Sequence, residues 1–393
     1  MSTTEQADVL IVGGGLMGCA TALFLARAGR RVIVLERDLT GRKASGVNFG
    51  AVRRQGRPLS QMPLANLSRE IWWSLPELIG EDCEFVRQGH LRIALDAAAA
   101  TRMESYSAEA RHAGLDLETL SRAQIAERFP WLSSRVAMAS FSPLDGHANP
   151  RLTGPAFGRA ARRAGAAIHE NTEVAHLSKP GEDFEAVATD GRIFRAPAMM
   201  IASGAWSGRF AQMFGEPGPM EVRGPQLSVT EPLPYFLGPN TSATASDPDD
   251  NIYFRQVTRG NIVIGGPRHG PASAGTGLAN VLPENLVLQL CRARTVLPVL
   301  ARARVIRSWS GVEGYTPDGQ PVMGASPTVP GLYFAFGFSG SGFQLGPGVG
   351  KVMAGLIDTG RAAIDMAPFR PGRFPEGTVA EGAAARSISA KGS

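Results

Sequence analysis

Three glycines and one acid carry the strongest chemical signal in this chain. Gly13, Gly15 and Gly18 stand in the spacing G-x-G-x-x-G, and Glu36 follows about 20 residues on. The first glycine turns the chain sharply, the second lets the backbone approach a pyrophosphate, and the third lets a helix lie close on a strand. The N–H groups of Leu16 and Met17, free at the start of that helix, then face phosphate oxygens. A carboxylate at Glu36 grips a ribose diol and repels a 2′-phosphate, so FAD and NAD fit and NADP does not. A second glycine-rich turn, Gly337-Phe338-Ser339-Gly340-Ser341-Gly342-Phe343-Gln344, opens another helix and offers a positive helix terminus to an electron-rich ring edge.

These groups need elements that bring them to one place. The apolar run 9–12, a helical run reaching Gly29 and the strand 31–36 form one complete βαβ unit. No second G-x-G-x-x-G unit is evident downstream, and a single unit favours FAD, held in addition by elements from far along the chain. In the loop 37–58, Arg37, Lys43, Ala44, Ser45, Asn48, Phe49, Gly50 and Arg53 are placed to run along the dinucleotide, with Ser45 offered to phosphate and Arg53 able to reach a ring. Residues 60–80 read as a helix interrupted near Pro76, its Trp72 and Trp73 in the core.

From Cys83 the period changes to two, and 83–87 with 90–95 predict a hairpin around Gln88-Gly89. A helix over 97–113, a capped helix start at Ser121 and a strand over 136–142 follow, and His147 sits in a turn before the helix 151–164. The strand 167–171 adds to the nucleotide sheet, with Val174 beyond it against the cofactor. A meander over 184–189 and 193–198 leads into the strand 198–203, which returns Ser203, Gly204 and Trp206 to the dinucleotide. Strands 220–230, 251–257 and 261–265, the helix 283–298 and strands 305–311 and 331–336 complete the pattern.

The pattern predicts an α/β fold. A Rossmann-like FAD-binding domain made from 1–82, 145–215 and 326–372 is intertwined with an α+β substrate domain, 83–144 and 216–325, built on a mixed antiparallel sheet; 373–393 is expected to be a disordered tail. The 393 residues, 44% of them hydrophobic, suit two such domains. Three cysteines, Cys19, Cys83 and Cys291, have no metal-type spacing, so no metal is expected. The formal charge of +5 is spread over dispersed arginines, which argues against nucleic acid. Neither a signal peptide nor a membrane span is visible, and a cytoplasmic location is expected. Lysine occurs only at 43, 179, 351 and 391, with Lys351 read as a turn into a helix and Lys179 and Lys391 as surface.

With these pieces in place the sequence resembles the D-amino-acid oxidase superfamily of FAD enzymes, in the branch of sarcosine oxidase, glycine oxidase and the FAD subunits of heteromeric amine dehydrogenases. The likeness rests on 12–18 with Glu36, the loop 44–53, residues 203–207, the segment Trp309–Gly319 and 337–343. It implies oxidation of an amine C–N bond, with hydrogen passing from the carbon to flavin N5 and the imine hydrolysed in water. It implies as substrate a D-, secondary or N-substituted amino acid or an opine, with Tyr253, Arg255, Glu313 and Gln344 as the site residues facing it. Glu313 stands where sarcosine oxidases carry the flavin-tethering cysteine and glycine oxidases an arginine, so FAD is expected to be non-covalent. Ser341 replaces the usual histidine, and Gln344 a lysine. Both familiar carboxylate anchors are therefore absent, leaving Arg255, Arg307 or Arg54 to substitute. Val263 is placed where sarcosine oxidase has a lysine over the flavin, which implies an acceptor other than oxygen, such as a quinone or partner subunits; a self-sufficient oxidase forming hydrogen peroxide is the alternative, and Arg268 or His269 would supply its charge.

Overall fold

The structure is a computed structural model and describes residues 4–375 and 378. Its organising layer is a six-stranded sheet in the order Val322–Ala325, Leu332–Phe336, Ala198–Ile201, Val9–Val12, Val32–Leu35, Ala167–His169. All neighbours run parallel except the edge strand Val322–Ala325. Strands covered on both faces have no polar side to present, which is why Val9–Val12 and Val32–Leu35 are apolar throughout and wholly buried. The helices Leu16–Arg27, Pro150–Arg163 and Gly342–Thr359 pack on one face, with Met62–Trp73 against the last of them. A smaller four-stranded sheet, Thr4–Gln6, Ile193–Ala196, Phe184–Ala188 and Val174–Ser178, contributes to the core on the other.

The larger sheet runs Val305–Ser310, Glu221–Pro232, Asn261–Gly270, Ile252–Gln256, Asn240–Thr244, His90–Ala94, Met138–Ser142, Glu118–Leu120. It is antiparallel apart from the pair Asn240–Thr244 and His90–Ala94. Alternation sorts its side chains: Leu91 and Ile93 enter the core under the sheet, while His90 and Arg92 face the other way. The chain is thus α/β, with a Rossmann-like layer and an α+β part on a mixed, mostly antiparallel sheet.

Several local expectations are corrected. The hairpin around Gln88-Gly89 does not form, because Cys83 and Glu84 take positive φ of 54° and 53° and break the extended run; Val86 makes only a bridge to His147. The strand His90–Ala94 finds its partners far away, at Met138–Ser142 and Asn240–Thr244. Residues 60–80 divide into Met62–Trp73 and Leu75–Ile79, since Pro76 has no N–H to continue the first helix. Within the loop 37–58, Ala44–Val47 coils into a short helix. His147 is a buried strand residue paired with Ala51, and Asn149 caps the helix Pro150–Arg163 instead. Lys351 lies exposed in the middle of Gly342–Thr359, not in a turn. Arg373, assigned to the tail, is tied to Asp318 by an Nε–Oδ2 contact of 2.8 Å; the rest of the tail from 376 lies outside the described residues apart from Thr378.

Candidate active site

One cleft of about 2520 Å³ opens along the carboxyl ends of Val9–Val12 and Val32–Leu35 and continues along the face of the larger sheet that carries His90 and Arg92. Ordinary small-molecule sites hold roughly 300–1,000 Å³, so this one has room for a dinucleotide and a further ligand.

The nucleotide end is built by the three glycines in three different ways. Gly13 has φ of 114°, and a Cβ there would stand 2.5 Å from the Ala202 carbonyl oxygen. On Gly18 a Cβ would stand 2.0 Å from the Gly13 oxygen, so only glycine lets helix and turn touch. Gly15, the residue before the helix, has an ordinary φ of −72°, and its Cβ would meet only Ser45 Oγ, at 3.2 Å, with open cleft beyond. This is the cradle that a pyrophosphate needs. Ser45 Oγ accepts the Leu16 N–H at 2.9 Å, and Gly15, Leu16 and Met17 line the cleft, whereas Gly18 does its work from behind. The Glu36 carboxylate is held open to the cleft by two backbone donors, Gly14 N–H at 2.7 Å and Asp38 N–H at 2.9 Å. Burial raises its pKa and these N–H groups oppose the rise.

Around this end the other predicted residues split into lining and bracing groups. Arg37 lies over the Trp206 ring at 3.7 Å, and Trp206 Nε1–H donates to the Ala274 carbonyl at 2.6 Å, closing the rim. Lys43 pairs with Asp38 at 3.3 Å. Asn48 caps its own short helix, donating to the Ala44 and Ser45 carbonyls at 2.9 Å and accepting the Gly50 N–H at 2.8 Å. Ala44, Phe49, Gly50, Arg53, Val174, Ser203 and Gly204 all line the cleft. So do Gly337, Ser339, Gly340, Ser341, Gly342 and Phe343 from the second glycine-rich turn.

That turn is fixed by Glu313. Its Oε1 accepts the Gly340 N–H at 3.0 Å and its Oε2 the Tyr315 hydroxyl at 3.0 Å, while Ser339, at φ of 47°, accepts the Thr316 N–H at 3.1 Å. Burial raises the Glu313 pKa against these two donors. Tyr253 lines the cleft with its ring across Gly265, where any Cβ would collide with it, and packs edge-on to Phe49 at 4.7 Å. Burial and the Glu313 charge push its phenol pKa up.

Four substrate-side assignments fail on geometry. Arg255 does not line the cleft: its Nε donates to the Phe49 carbonyl at 2.5 Å and its Nη1 meets His147 Nδ1 at 3.3 Å. Gln344 lines the cleft beside Phe343, but its amide is committed, donating to the Ala65 carbonyl at 2.9 Å, and its backbone carbonyl accepts Trp72 Nε1–H at 2.9 Å. Arg54 is 2% exposed and braces Asp145 and Asn66; Arg307 is an exposed residue of Val305–Ser310 outside the cleft. Val263 is buried in the sheet opposite Arg255 and Val229, on the face that carries Tyr253, and does not line the cleft. Its strand reaches the cleft only at 267–270, where Arg268 is paired with Asp249 and His269, stacked on Tyr315, is pushed by burial down to a pKa of about 4.

Sequence reasoning missed Arg57, His90, Arg92, Tyr106, Arg223 and Tyr315, of which all but Tyr106 line the cleft. One signal was available: His90 and Arg92 alternate with Leu91 and Ile93, which marks a strand with one polar face turned to something.

A nucleotide cradle facing a mixed sheet across one shared cleft defines the class as a flavin-dependent oxidoreductase. The chain belongs to the FAD dependent oxidoreductase family, DAO, which matches residues 8–356. It is 29% identical to glycine oxidase of Geobacillus kaustophilus over 93% of this chain and 97% of that one. With one of the subunits of the opine oxidase of Rhizobium meliloti it shares 30% identity over 94% of this chain and 98% of that one. The solved structure of the Geobacillus glycine oxidase superposes with a TM-score of 0.86 at 28% identity, covering 94% of this chain and all of that one (100%). L-proline dehydrogenase from P. horikoshii, at 24% identity and a TM-score of 0.89 over 96% of this chain and 100% of its own, shares the fold. The cofactor is FAD, and the cradle at Gly15, the carboxylate of Glu36 and the turn 337–343 fit it. Among the described residues no helix is long and apolar enough to cross a membrane.

Proposed function

We propose that this enzyme oxidises the C–N bond of a D-, secondary or N-substituted amino acid, or an opine, and passes the electrons to an acceptor other than oxygen, a quinone or a partner subunit. The observation that carries the reading is Arg53, a half-buried cleft residue whose field reaches Tyr253, in the cleft that holds the nucleotide cradle. Bound FAD supplies a two-electron acceptor at N5. Arg53 meets the substrate carboxylate, Tyr253 and Phe49 wall the amine against the flavin face, and Glu313 keeps the Gly340 N–H turn in place. The fold and the ring wall exclude water until the product leaves. FAD is held without a covalent bond, a reading supported by the cysteines, none of which lines the cleft: Cys19 and Cys83 are buried and Cys291 is exposed on Pro283–Val296.

Three features support the non-oxygen acceptor. Val263 is uncharged and does not line the cleft, Arg268 is neutralised by Asp249, and His269 is uncharged at pH 7. The oxidase alternative has one observation in its favour, since Arg53 keeps a permanent positive charge that would stabilise superoxide. Anaerobic screening of amino acids and opines for flavin bleaching tests the reaction, and bleaching by none of them removes it. Stopped-flow reoxidation in air-saturated buffer then separates the two acceptors: a rate above that of free reduced flavin selects the oxidase.

Glu313→Gln keeps an acceptor for Gly340 N–H, so FAD content is expected to stay full while substrate binding changes. Loss of the carboxylate should lower KM for an anionic substrate, and raise it for a cationic one, by roughly fivefold, about 1 kcal/mol. Unchanged KM with both classes takes the Glu313 charge out of substrate recognition.

A further inference from the structure

Beyond Arg53 the cleft holds charge that oxidation of a simple amino acid leaves unused. Arg57 and Arg92 line it too, with the exposed Arg102 at its rim. Arg57 is 5% exposed, its Nε donating to the Arg53 carbonyl at 2.9 Å. Nη1 of Arg92 and Nη1 of Arg53 flank Gly56, at 3.3 and 3.4 Å from where its Cβ would stand. None of these four arginines has a salt bridge among the described residues. The acid whose field reaches Arg53 and Arg57 is Asp145, and it is already committed to Arg54 and to the N–H groups of Arg54 and Gln55.

Asp96 lies within reach of the rim residue Arg102, but the neighbours of Arg92 add no negative charge. Register places Ser242 beside Arg92, and Ser242 and Thr244 line the cleft. His90 is neutral, with Nδ1–H donating to Gln55 Oε1 at 2.8 Å and Nε2 accepting from the Ser242 hydroxyl at 3.0 Å. Guanidinium groups crowded at low exposure repel one another, and an anion in their shared space relieves both repulsion and desolvation. Their planar forks match carboxylate and phosphate oxygens two at a time. The pyrophosphate of the dinucleotide has its own cradle at Gly15 and Ser45.

We propose that the amine this enzyme oxidises carries a second anionic group, remote from the C–N bond and of carboxylate or phosphate chemistry, seated between Arg57 and Arg92 with Ser242 beside it. Arg53 is left for the carboxylate next to the reacting carbon. The proposal rests on the amino-acid-oxidising reading of the cleft. Its test is binding of non-oxidisable probes to the FAD-loaded enzyme, read from the shift of the flavin spectrum and by calorimetry. Glutarate or 3-phosphonopropionate should bind at least tenfold tighter than butyrate, and the tighter of the two dianions identifies the second group. Arg92→Met should weaken that dianion at least tenfold and butyrate less than twofold. Should Arg92→Met yield no folded holoenzyme, Arg92→Lys serves, with charge kept, fork lost and the dianion weakened about threefold. Equal binding of all three probes, or equal weakening of dianion and butyrate, overturns the proposal. Failure of every amine to bleach the flavin while the dianion preference persists overturns the oxidation reading alone.

Discussion

Gly15→Val is expected to give a folded, colourless protein. The backbone at Gly15 has φ of −72°, which valine tolerates, and the added Cβ meets nothing but Ser45 Oγ, so the chain can still fold. The branched side chain would instead fill the space above the Leu16 N–H where the pyrophosphate must lie. Flavin per polypeptide after purification should fall to near zero with far-ultraviolet circular dichroism unchanged. Glu36→Ala should be milder, weakening FAD by the roughly 1.5–3 kcal/mol of a charged hydrogen bond. Retention of flavin by Gly15→Val, or an equal loss in both variants, would place the phosphates elsewhere.

The second large effect separates two adjacent arginines. Arg54→Met leaves Asp145 buried without its guanidinium and Asn66 without its partner, and breaking a buried pair costs about 3–5 kcal/mol. A marked drop in the unfolding temperature is therefore expected, with the flavin reduced at a normal rate in the cold. Arg53→Met should do the opposite. Its Nη1 contacts only the Gln55 carbonyl, so unfolding should change little. Flavin reduction at low substrate should slow by roughly 1.5 to 3.5 orders of magnitude, from the roughly 2–5 kcal/mol lost when one partner of a desolvated charge pair is removed. If Arg53→Met is the unstable variant and Arg54→Met the slow one, the two roles are exchanged.

That pair shows where legibility in the sequence stops. The nucleotide half is readable because its parts are local: Gly13, Gly15 and Gly18 act within one turn, Glu36 ends the next strand, and strands buried on both faces must be apolar. The parallel partner Ala198–Ile201 is visible for the same reason, whereas Ala167–His169 is a partly exposed edge strand. The hairpin expected at Gln88-Gly89 failed because the local period of two fits any strand, and only distant register chose Met138–Ser142 and Asn240–Thr244 as partners.

The substrate end is decided by which face of an element turns inward, and one residue of phase reverses it. Arg53 and Arg54 are equal in charge and adjacent in sequence, yet one lines the cleft and the other braces Asp145, a residue far along the chain. Arg255 and Gln344, which the family resemblance put beside the substrate, are held by the Phe49 and Ala65 carbonyls. The sequence by itself determined the cofactor cradle and the strand–helix order, since each depends on residue type at short spacing. Only the tertiary structure decided that Arg53, Arg57 and Arg92 share a space whose nearby acid, Asp145, is already committed to Arg54, because that charge balance depends on side-chain direction and on partners that no local pattern encodes.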